Sequence, residues 1–348
     1  AVIGIRLARA AGAVSIADQY YVQRAAMALA DGDTEWVLSQ DYYGIYPFQL
    51  GLAEIFSLFF RVAGSMELSV IQQVQAVCGG ITLYVGFRIV RELSGSRAAE
   101  LLYLVAELLF LPVYCYSLYI YGESIGTCSV MCAIWCYLMA NRSEGKVWQK
   151  GLLWIAVALF MGLAYVTRNV FLVVWIAMAI MQILVWLRSK KWQGLPVLCV
   201  VLAVMLLGKN VLCHMAEGQL DREYGSGAPY VLWIAMGMQE TDGMAGVYNR
   251  YQQSVFEDND FQPEPSAEIG KEYIRERIQE FKENPSMTVE FYKNKLEDQW
   301  LEPSFSSLKA THSFPEGTEL SPVIYSLYYG NLHEIVWKYA NYYQSIVY

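Results

Sequence analysis

Three apolar runs follow one another in the middle of the chain: LLWIAVALFMGLAYVT (residues 152–167), NVFLVVWIAMAIMQILVWL (169–187) and GLPVLCVVLAVMLLGKNVLC (194–213). A helix needs about 20 predominantly apolar residues to cross the ~30 Å hydrocarbon layer of a bilayer. The composition of the 348-residue chain agrees, because only 17% of its residues are charged and its mean hydropathy is +0.28. Soluble domains carry about 25% charged residues. The sequence therefore predicts an all-α membrane protein with several crossings.

Further apolar segments lie before these runs. The candidate crossings there are 1–17, 47–65, 68–88, 98–119 and 124–141. Three connecting loops are basic, which is typical of the cytoplasmic side of a membrane. Their basic residues are Arg88, Arg91 and Arg97, then Arg142, Lys146 and Lys150, and then Arg188, Lys190 and Lys191. Counting crossings from 98–119 onward places all three loops in the cytoplasm, and the segments after residues 120, 167 and 213 outside.

One of the two segments 47–65 and 68–88 cannot cross. An odd number of crossings must separate residue 18, on the outer side, from the first basic loop. We expect 47–65 to be the segment that does not cross, since it begins with Pro47 and contains two charged residues, Glu54 and Arg61. Such a helix is predicted to lie in the membrane interface. Residues 18–66 then form an outer loop within a membrane module of residues 1–213.

The remaining segment, 214–348, has a different composition. It holds 21 acidic and 10 basic residues, so its net charge of −11 outweighs the +3 of residues 1–213 and makes the whole chain −8. Helical periodicity over 267–283 and 287–300 predicts an α-rich extracytoplasmic domain of a plasma-membrane protein. An acidic membrane protein is not expected to bind nucleic acid. The chain opens at Ala1 inside one apolar stretch and ends on the approach to another, so we expect a fragment of a longer protein.

Few charged side chains lie at the outer boundary, where charges are costly unless they are paired or used. Asp18 follows the first apolar run, and it suits equally the N-cap of a helix over 19–30 and a general base at the membrane surface. Glu123 suits a helix N-terminus. Arg168 is a lone cation between two crossings, where it would either bind a phosphate or extend toward lipid headgroups.

The seven cysteines all lie in or beside apolar segments, and none lies in the acidic tail. A disulfide framework would place them in the soluble part, so none is expected. Cys128, Cys132 and Cys136 share one face of a predicted helix, but no His or carboxylate accompanies them. This pattern predicts helix packing and no metal site.

Two stretches of the outer loop carry a recognisable order of residues: Asp18-Gln19-x4-Arg24-Ala25-x3-Leu29-Ala30-x-Gly32-Asp33 and Tyr43-x2-Tyr46-Pro47-x-Gln49-x-Gly51. This order resembles the first outer loop of membrane glycosyltransferases with the GT-C fold, which include aminoarabinose–lipid A transferases and protein O-mannosyltransferases. Those enzymes also carry an acidic residue in the second outer loop, where Glu123 stands, and many carry a cation after a Thr, as in Thr167-Arg168. The resemblance covers about residues 1–213, and the tail looks like the outer domain of Gram-positive members.

Two positions depart from these families. The mannosyltransferases have Asp-Glu where this chain has Asp18-Gln19. The aminoarabinose enzymes have an acidic residue just before the juxtamembrane proline, where this chain has Tyr46.

The resemblance implies a GT-C-like helical bundle that moves a sugar from a polyprenyl-phosphate donor to a hydroxyl of a glycan, lipid or protein acceptor at the outer face. It implies that Asp18 is the general base of an inverting transfer and that Arg168 stabilises the departing phosphate. Glu123 would position the donor hydroxyls, or its phosphate through a divalent cation, the one cofactor that the resemblance suggests. Residues that would line the donor cavity are Tyr43, Tyr46 and Gln49, and those on the acceptor side are Lys295 and Trp300.

Two other classes of function stay open. A transporter or flippase of lipid-linked saccharides would carry charges within its crossings and often repeated halves. This chain has few such charges beyond Glu107, and no repeat is visible. The other class is a non-catalytic membrane scaffold whose tail binds partners.

Overall fold

The computed structural model describes residues 1–142, 145–190, 192, 194–314, 317 and 319–347. The chain is 77% helical. Its α-helices are, in order, α1 (Val2–Ala11), α2 (Asp18–Asp31), α3 (Glu35–Leu38), α4 (Tyr42–Ile45), α5 (Leu50–Ala63), α6 (Leu68–Ser94), α7 (Arg97–Leu109), α8 (Pro112–Cys115), α9 (Glu123–Arg142), α10 (Val147–Thr167), α11 (Leu172–Ser189), α12 (Gly194–Leu220), α13 (Tyr230–Met236), α14 (Tyr251–Asp258), α15 (Pro263–Glu283), α16 (Pro285–Trp300), α17 (Ser307–Ala310), α18 (Pro322–Tyr329) and α19 (Asn331–Val347). Short 3₁₀ turns lie at Pro47–Gln49 and Asn169–Phe171. Strands β1 (Glu240–Thr241) and β2 (Met244–Ala245) pair antiparallel. The predicted all-α fold is confirmed.

Five helical segments within the described residues are long and apolar enough to cross a membrane: α6, α9, α10, α11 together with the turn before it (Asn169–Arg188), and α12. The turn from α6 to α7 illustrates how such helices end. Gly95 adopts a left-handed conformation with φ 62°, which glycine does without steric cost. Ser96 then caps α7 by accepting a bond from the Ala99 amide, at 3.4 Å.

The predicted crossing 98–119 is not one continuous helix. α7 ends at Leu109 after 13 residues, which is about 20 Å at 1.5 Å per residue. α8 then begins with Pro112. Proline has no amide hydrogen to donate and disfavours helical geometry in the residue before it. The chain therefore reaches Tyr121 through a short helix and turns.

The segment 47–65 contains α5, which is 14 residues long, about 21 Å and shorter than a crossing needs. A helix too short to cross agrees with the count of crossings, which requires that 47–65 does not cross. α5 does not lie open on a surface, however, since nine of its residues are buried and it packs against α2 and α12. The helix predicted to lie in the interface is therefore packed beneath α2 and α12.

Two apolar clusters hold the membrane helices together. The first joins α2 and α5 to the segment before α9 around Tyr43, Phe56 and Ile120. The second lies between α9, α10 and α12 and includes the buried residues Val157, Met161 and Met205. Lipid is as apolar as these side chains, so the clusters stabilise the bundle mainly by close packing.

The tail contains the two helices that the periodicity predicted. Segments 267–283 and 287–300 are found in α15 and α16, and Pro285 occupies the first turn of α16, where its missing amide hydrogen costs nothing. The last helices fold back onto the membrane module. Their contacts include Val14 N to Ser313 O at 3.0 Å, Gln19 Nε2 to Ala310 O at 3.2 Å and Tyr343 Oη to Ala106 O at 2.8 Å.

Basic residues from two of the three predicted cytoplasmic loops form ion pairs at the ends of α6, α7 and α9. Arg142 Nη1 lies 3.7 Å from Glu92 Oε2, and Arg91 Nε lies 3.6 Å from Glu100 Oε1. We call these four residues the basic end. Lys191, in the third predicted basic loop, lies outside the described residues.

Candidate functional site

Asp18 is the first residue of α2 and does not cap it. The N-cap position belongs to Ala17, whose φ of 47° and ψ of −130° are unusual for a residue with a Cβ. The Asp18 carboxylate instead accepts hydrogen bonds from two phenols, Tyr42 Oη at 3.0 Å and Tyr121 Oη at 3.4 Å. The strained backbone thus directs the carboxylate toward tyrosines, and such strain is concentrated at functional sites.

Tyr121 connects Asp18 to three other segments. Its side chain is 2% exposed, and its hydroxyl accepts a bond from Gln49 Nε2. Its carbonyl oxygen accepts a bond from Gln75 Nε2 at 3.1 Å. The neighbouring Ile120 amide donates to Gln19 Oε1 at 2.9 Å. Side-chain amides from α2, α6 and the turn before α5 therefore fix the position of this buried phenol.

Arg168 and Glu123 form an ion pair next to Tyr121. Arg168 Nε lies 3.1 Å from Glu123 Oε1, and the guanidinium carbon lies 4.6 Å from the centre of the Tyr121 ring. The pair is close because Gly122 lets two turns touch. A Cβ on Gly122 would lie 2.3 Å from the Thr167 carbonyl oxygen.

These contacts join five residues from four segments, and we call Asp18, Gln49, Tyr121, Glu123 and Arg168 the polar cluster. Asp18, Glu123 and Arg168 are each predicted from the sequence as site residues, and the structure brings all three into this cluster. The predicted Gln49 belongs to it as well.

Both phenols that contact Asp18 stay protonated. Burial raises the pKa of Tyr42, and the nearby Tyr121 and Asp18 raise it further. Burial likewise raises the pKa of Tyr121, with Asp18 as the next contribution. A neutral phenol donates its proton to a hydrogen bond, so two phenol donors hold the Asp18 carboxylate in place.

A cavity of about 220 Å³ lies against the polar cluster. Its lining includes Gln49, Thr167 and Arg168 from the membrane module and Tyr230 and Trp233 from α13. A second cavity, of about 320 Å³, is lined by Glu123, Tyr116 and Phe305 among others. Glu123 Oε2 is buried there without a hydrogen-bond partner. The Arg168–Glu123 pair therefore separates two cavities, with one member facing each.

The predicted cavity tyrosines occupy other positions. Tyr43 is fully buried in the core and donates a bond to the Tyr21 carbonyl oxygen at 2.8 Å. The Tyr46 hydroxyl accepts a bond from Gln252 Nε2 at 3.0 Å, and its ring lies against Trp233. Tyr43 is thus a packing residue, while Tyr46 joins the membrane module to the tail.

The predicted acceptor-side residues lie in α16. Lys295 Nζ donates to the Gly237 carbonyl oxygen, and the Trp300 side chain is largely exposed. Neither lines the cavity beside Arg168. The structure therefore does not bring these two residues to the polar cluster.

Lys209, in the C-terminal half of α12, was not among the predicted site residues. It is 8% exposed, and its Nζ donates to Oδ1 of Asn169 at 2.5 Å. Asn169 follows Arg168 directly in the chain. The signal in the sequence was a lone lysine inside an otherwise apolar crossing, which marks a functional position by default.

A divalent cation does not fit the polar cluster. The residues that the structure describes contain no group of three or more His, Cys, Asp or Glu side chains able to hold a metal ion. Calcium and magnesium prefer several oxygen ligands, and the polar cluster supplies two carboxylates, of which Asp18 accepts bonds from phenols and Glu123 pairs through Oε1 with Arg168.

Comparison with known proteins gives one match. Residues 24–343 match the family model described as a conserved hypothetical integral membrane protein. No curated protein and no solved structure matches the chain. The matched range includes the five candidate crossings, Glu123, Arg168 and nearly all of the tail. The chain is therefore an integral membrane protein and belongs to this conserved hypothetical integral membrane protein family.

Proposed function

We propose that this protein is a glycosyltransferase of GT-C type. It transfers a sugar from a polyprenyl-phosphate donor to an acceptor hydroxyl, with inversion of the anomeric carbon. The observation that carries the proposal is the environment of Asp18. An exposed carboxylate is held by two neutral phenols, and one of those phenols lies under the Arg168 guanidinium.

This environment suits a general base. The two phenol donors fix the orientation of the Asp18 carboxylate, as the geometry of a general base requires. Its exposure leaves it open to an acceptor hydroxyl that arrives from water.

The proposed reaction is a single displacement. The acceptor oxygen attacks the anomeric carbon, and its proton passes to Asp18. The bond between the anomeric carbon and the phosphate oxygen breaks, and its electron pair leaves with the polyprenyl phosphate. Arg168 stabilises the charge that develops on the departing phosphate. One displacement at one carbon inverts its configuration.

The proposed sidedness follows from the distribution of charge. The basic end carries Arg91 and Arg142, and positive loops face the cytoplasm. The polar cluster lies at the opposite ends of α9 and α10, because Glu123 starts α9 and Arg168 follows α10. We therefore place the polar cluster and residues 214–348 outside the plasma membrane, where a lipid-linked donor and a water-soluble acceptor can meet.

A transporter of lipid-linked saccharides is the second candidate, and Lys209 favours it. A buried lysine inside a crossing is a typical feature of substrate pathways. The two candidates differ in product, because a transporter moves the lipid-linked sugar without breaking the glycosyl bond.

The test uses proteoliposomes of the full-length protein and a panel of polyprenyl-phosphate hexoses and pentoses with a radiolabelled sugar. A cell-envelope extract supplies acceptors. We expect protein-dependent transfer of label from the organic-soluble donor into another molecule. Movement of intact labelled donor between leaflets, with no product from any sugar of the panel, would contradict the proposal and favour the transporter. Empty liposomes are the control.

A further inference from the structure

Lys209 is a buried cation without an anionic partner. Among the described residues, none of the ion pairs within 4.0 Å involves Lys209. Its ammonium group contacts a neutral amide, Asn169 Oδ1, at 2.5 Å. It also lies 5.0 Å from the ring centre of Phe48 and 5.3 Å from that of Tyr165. An amide and two ring faces only partly replace the water that a buried ammonium loses.

Arg168 is in the opposite situation. Its charge is already balanced by Glu123 at 3.1 Å. Of the two cations near the 3₁₀ turn Asn169–Phe171, Lys209 is therefore the one that lacks an anionic partner among the described residues. A buried charge without a counterion is strongly unfavourable, so a ligand that supplies the counterion binds with a large gain.

Lys209 also lines a space that can hold such a ligand. A cavity of about 480 Å³ has Lys209, Asn210 and Cys213 of α12 on one side. It shares Phe48 and Tyr230 with the smaller cavity beside Arg168. The two cavities therefore adjoin each other, with Asn169 between the two cations.

The acidic residues of the larger cavity do not neutralise Lys209. Glu217 accepts bonds from the Tyr224 amide at 3.1 Å and from His214 Nδ1 at 2.7 Å. Glu223 also lines the cavity and is exposed to solvent. Both carboxylates follow Lys209 in the chain: Glu217 lies in the last turn of α12, and Glu223 lies just after that helix.

The depth of Lys209 suits a lipid phosphate. It lies 11 residues before Leu220, the last residue of α12, which is about 16 Å along the helix axis. Its contact with Asn169 places it level with the end of α10. The residues around it on α12 that face away from the bundle, Leu206, Leu207 and Val211, are exposed and apolar. A ligand bound here can keep an acyl or prenyl chain in lipid.

We propose that Lys209, with Asn169, binds the phosphate group of the polyprenyl-phosphate donor. This inference rests on the proposed function and refines it. Lys209 supplies ground-state binding of the phosphate, whereas Arg168 acts on the charge that develops as the sugar leaves.

The test is a binding measurement on purified full-length protein in detergent, with farnesyl phosphate as the probe and farnesol as the uncharged control. Loss of one charged hydrogen bond lowers affinity about 10- to 100-fold, so we expect that loss for Lys209→Met. Lys209→Arg should keep most of the affinity, and Arg168→Ala should lower it less than Lys209→Met does. Lys150→Met, at the other end of α10, should bind as the wild type.

A second variant tests the same site in case Lys209→Met does not fold. Asn169→Asp leaves the lysine intact and supplies the carboxylate that it lacks. We expect this variant to fold and to bind farnesyl phosphate more weakly, because the new carboxylate occupies the ammonium group and repels phosphate.

The outcomes separate this inference from the proposed function. Unchanged affinity in Lys209→Met or Asn169→Asp overturns the Lys209 site, even if wild-type protein transfers sugar. Lys209-dependent binding in a protein that forms no product keeps the site and overturns the transferase. Competition by phosphatidylglycerol as strong as that by farnesyl phosphate would indicate a structural lipid, and equal competition by inorganic phosphate would indicate a free-phosphate site. Either of these results overturns the inference.

Discussion

The basic end and the polar cluster both contain arginine–glutamate pairs, at opposite ends of α9, but the pairs differ in what surrounds them. Arg142 and Glu92 are 3.7 Å apart, and Arg168 and Glu123 are 3.1 Å apart. Both pairs are partly exposed, so exposure alone does not distinguish them. The difference is that Arg168 lies on the buried ring of Tyr121, which is bonded to Asp18 and Gln49.

Arg142 at the basic end is held by few contacts, whereas Arg168 at the polar cluster is held in a fixed position. At the basic end water solvates the arginines, and such a pair contributes about 0–1 kcal/mol. At the polar cluster several segments fix the pair before any ligand arrives, so little reorganisation is needed when charge develops. In our proposal the same residue types therefore orient the protein at one end and act on a substrate at the other.

The largest difference is expected for the arginines themselves. Arg168→Ala should lower the rate of sugar transfer by about 10²–10³-fold, the usual cost of removing one preorganised group that stabilises developing charge. Arg168→Lys should be milder, because a point charge remains while the planar fork is lost. Arg142→Ala should leave transfer unchanged. Initial rates in proteoliposomes at equal protein content check this, and equal losses for Arg168→Ala and Arg142→Ala would remove the distinction between the two ends.

The next difference concerns two glycines. Gly122→Ala places a Cβ 2.3 Å from the Thr167 carbonyl oxygen, whereas a Cβ on Gly151, near the start of α10, meets nothing within 4 Å. Overpacking costs about 1–3 kcal/mol, while Gly to Ala inside a helix gains about 0.5–1 kcal/mol. We expect Gly122→Ala to lower the midpoint of thermal unfolding in detergent and Gly151→Ala to leave it equal or higher. A Gly122→Ala protein as stable as the wild type would show that the two turns are not in close contact.

A matched pair of tyrosines separates function from stability. Tyr121→Phe and Tyr43→Phe each remove a buried hydroxyl, which leaves Gln49 Nε2 or the Tyr21 carbonyl oxygen without that partner. Each should therefore cost about 1–3 kcal/mol in unfolding free energy. Only Tyr121→Phe should also lower transfer measured on folded protein, because only Tyr121 contacts Asp18 and Arg168. A comparable loss of transfer in Tyr43→Phe would mean that both residues act through stability alone.

The smallest effect is expected at the basic end. Glu92→Gln removes the charge of a partly exposed pair and should change the unfolding free energy by no more than about 1 kcal/mol. Glu123→Gln leaves the Arg168 guanidinium on Tyr121 without its carboxylate and should cost more. Thermal unfolding of the two variants side by side measures the difference, and a greater loss for Glu92→Gln would reverse the comparison.

The sequence predicted the elements that depend on local pattern. Continuous apolar runs predicted the five helices that are long enough to cross, but they also indicated 1–17 and 98–119, where the helices are shorter. The count of crossings against the basic loops removed 47–65, and proline positions agree with the start of α16. The count also predicted that Glu123 and Arg168 share a side of the membrane. Composition and periodicity are properties of neighbouring residues, which is why these predictions needed no tertiary information.

What the sequence could not predict depends on contacts between distant segments. Tyr121 was visible only as part of a turn, and its role depends on Asp18 and Gln49, which lie 103 and 72 positions away. Tyr43 resembled a cavity residue until its hydroxyl was seen to bond inside the core. Lys209 was missed because one cation barely changes the hydropathy of a 27-residue helix. Asp18 suited capping and catalysis equally, and only the structure shows that it lies inside the first turn of α2 and does not cap it.

The central claim, that the polar cluster transfers sugar through Asp18, is tested most directly by Asp18→Asn against Asp33→Asn. Asn keeps the shape of Asp and can still accept the phenol bonds, but it cannot take up the acceptor proton. Asp33 is an exposed carboxylate in the same outer loop and serves as the matched control. With radiolabelled donor, we predict that Asp33→Asn transfers at the wild-type rate and that Asp18→Asn is slower by about 10²–10⁴-fold, the usual contribution of a general base. An Asp18→Asn protein as active as the wild type would contradict the account.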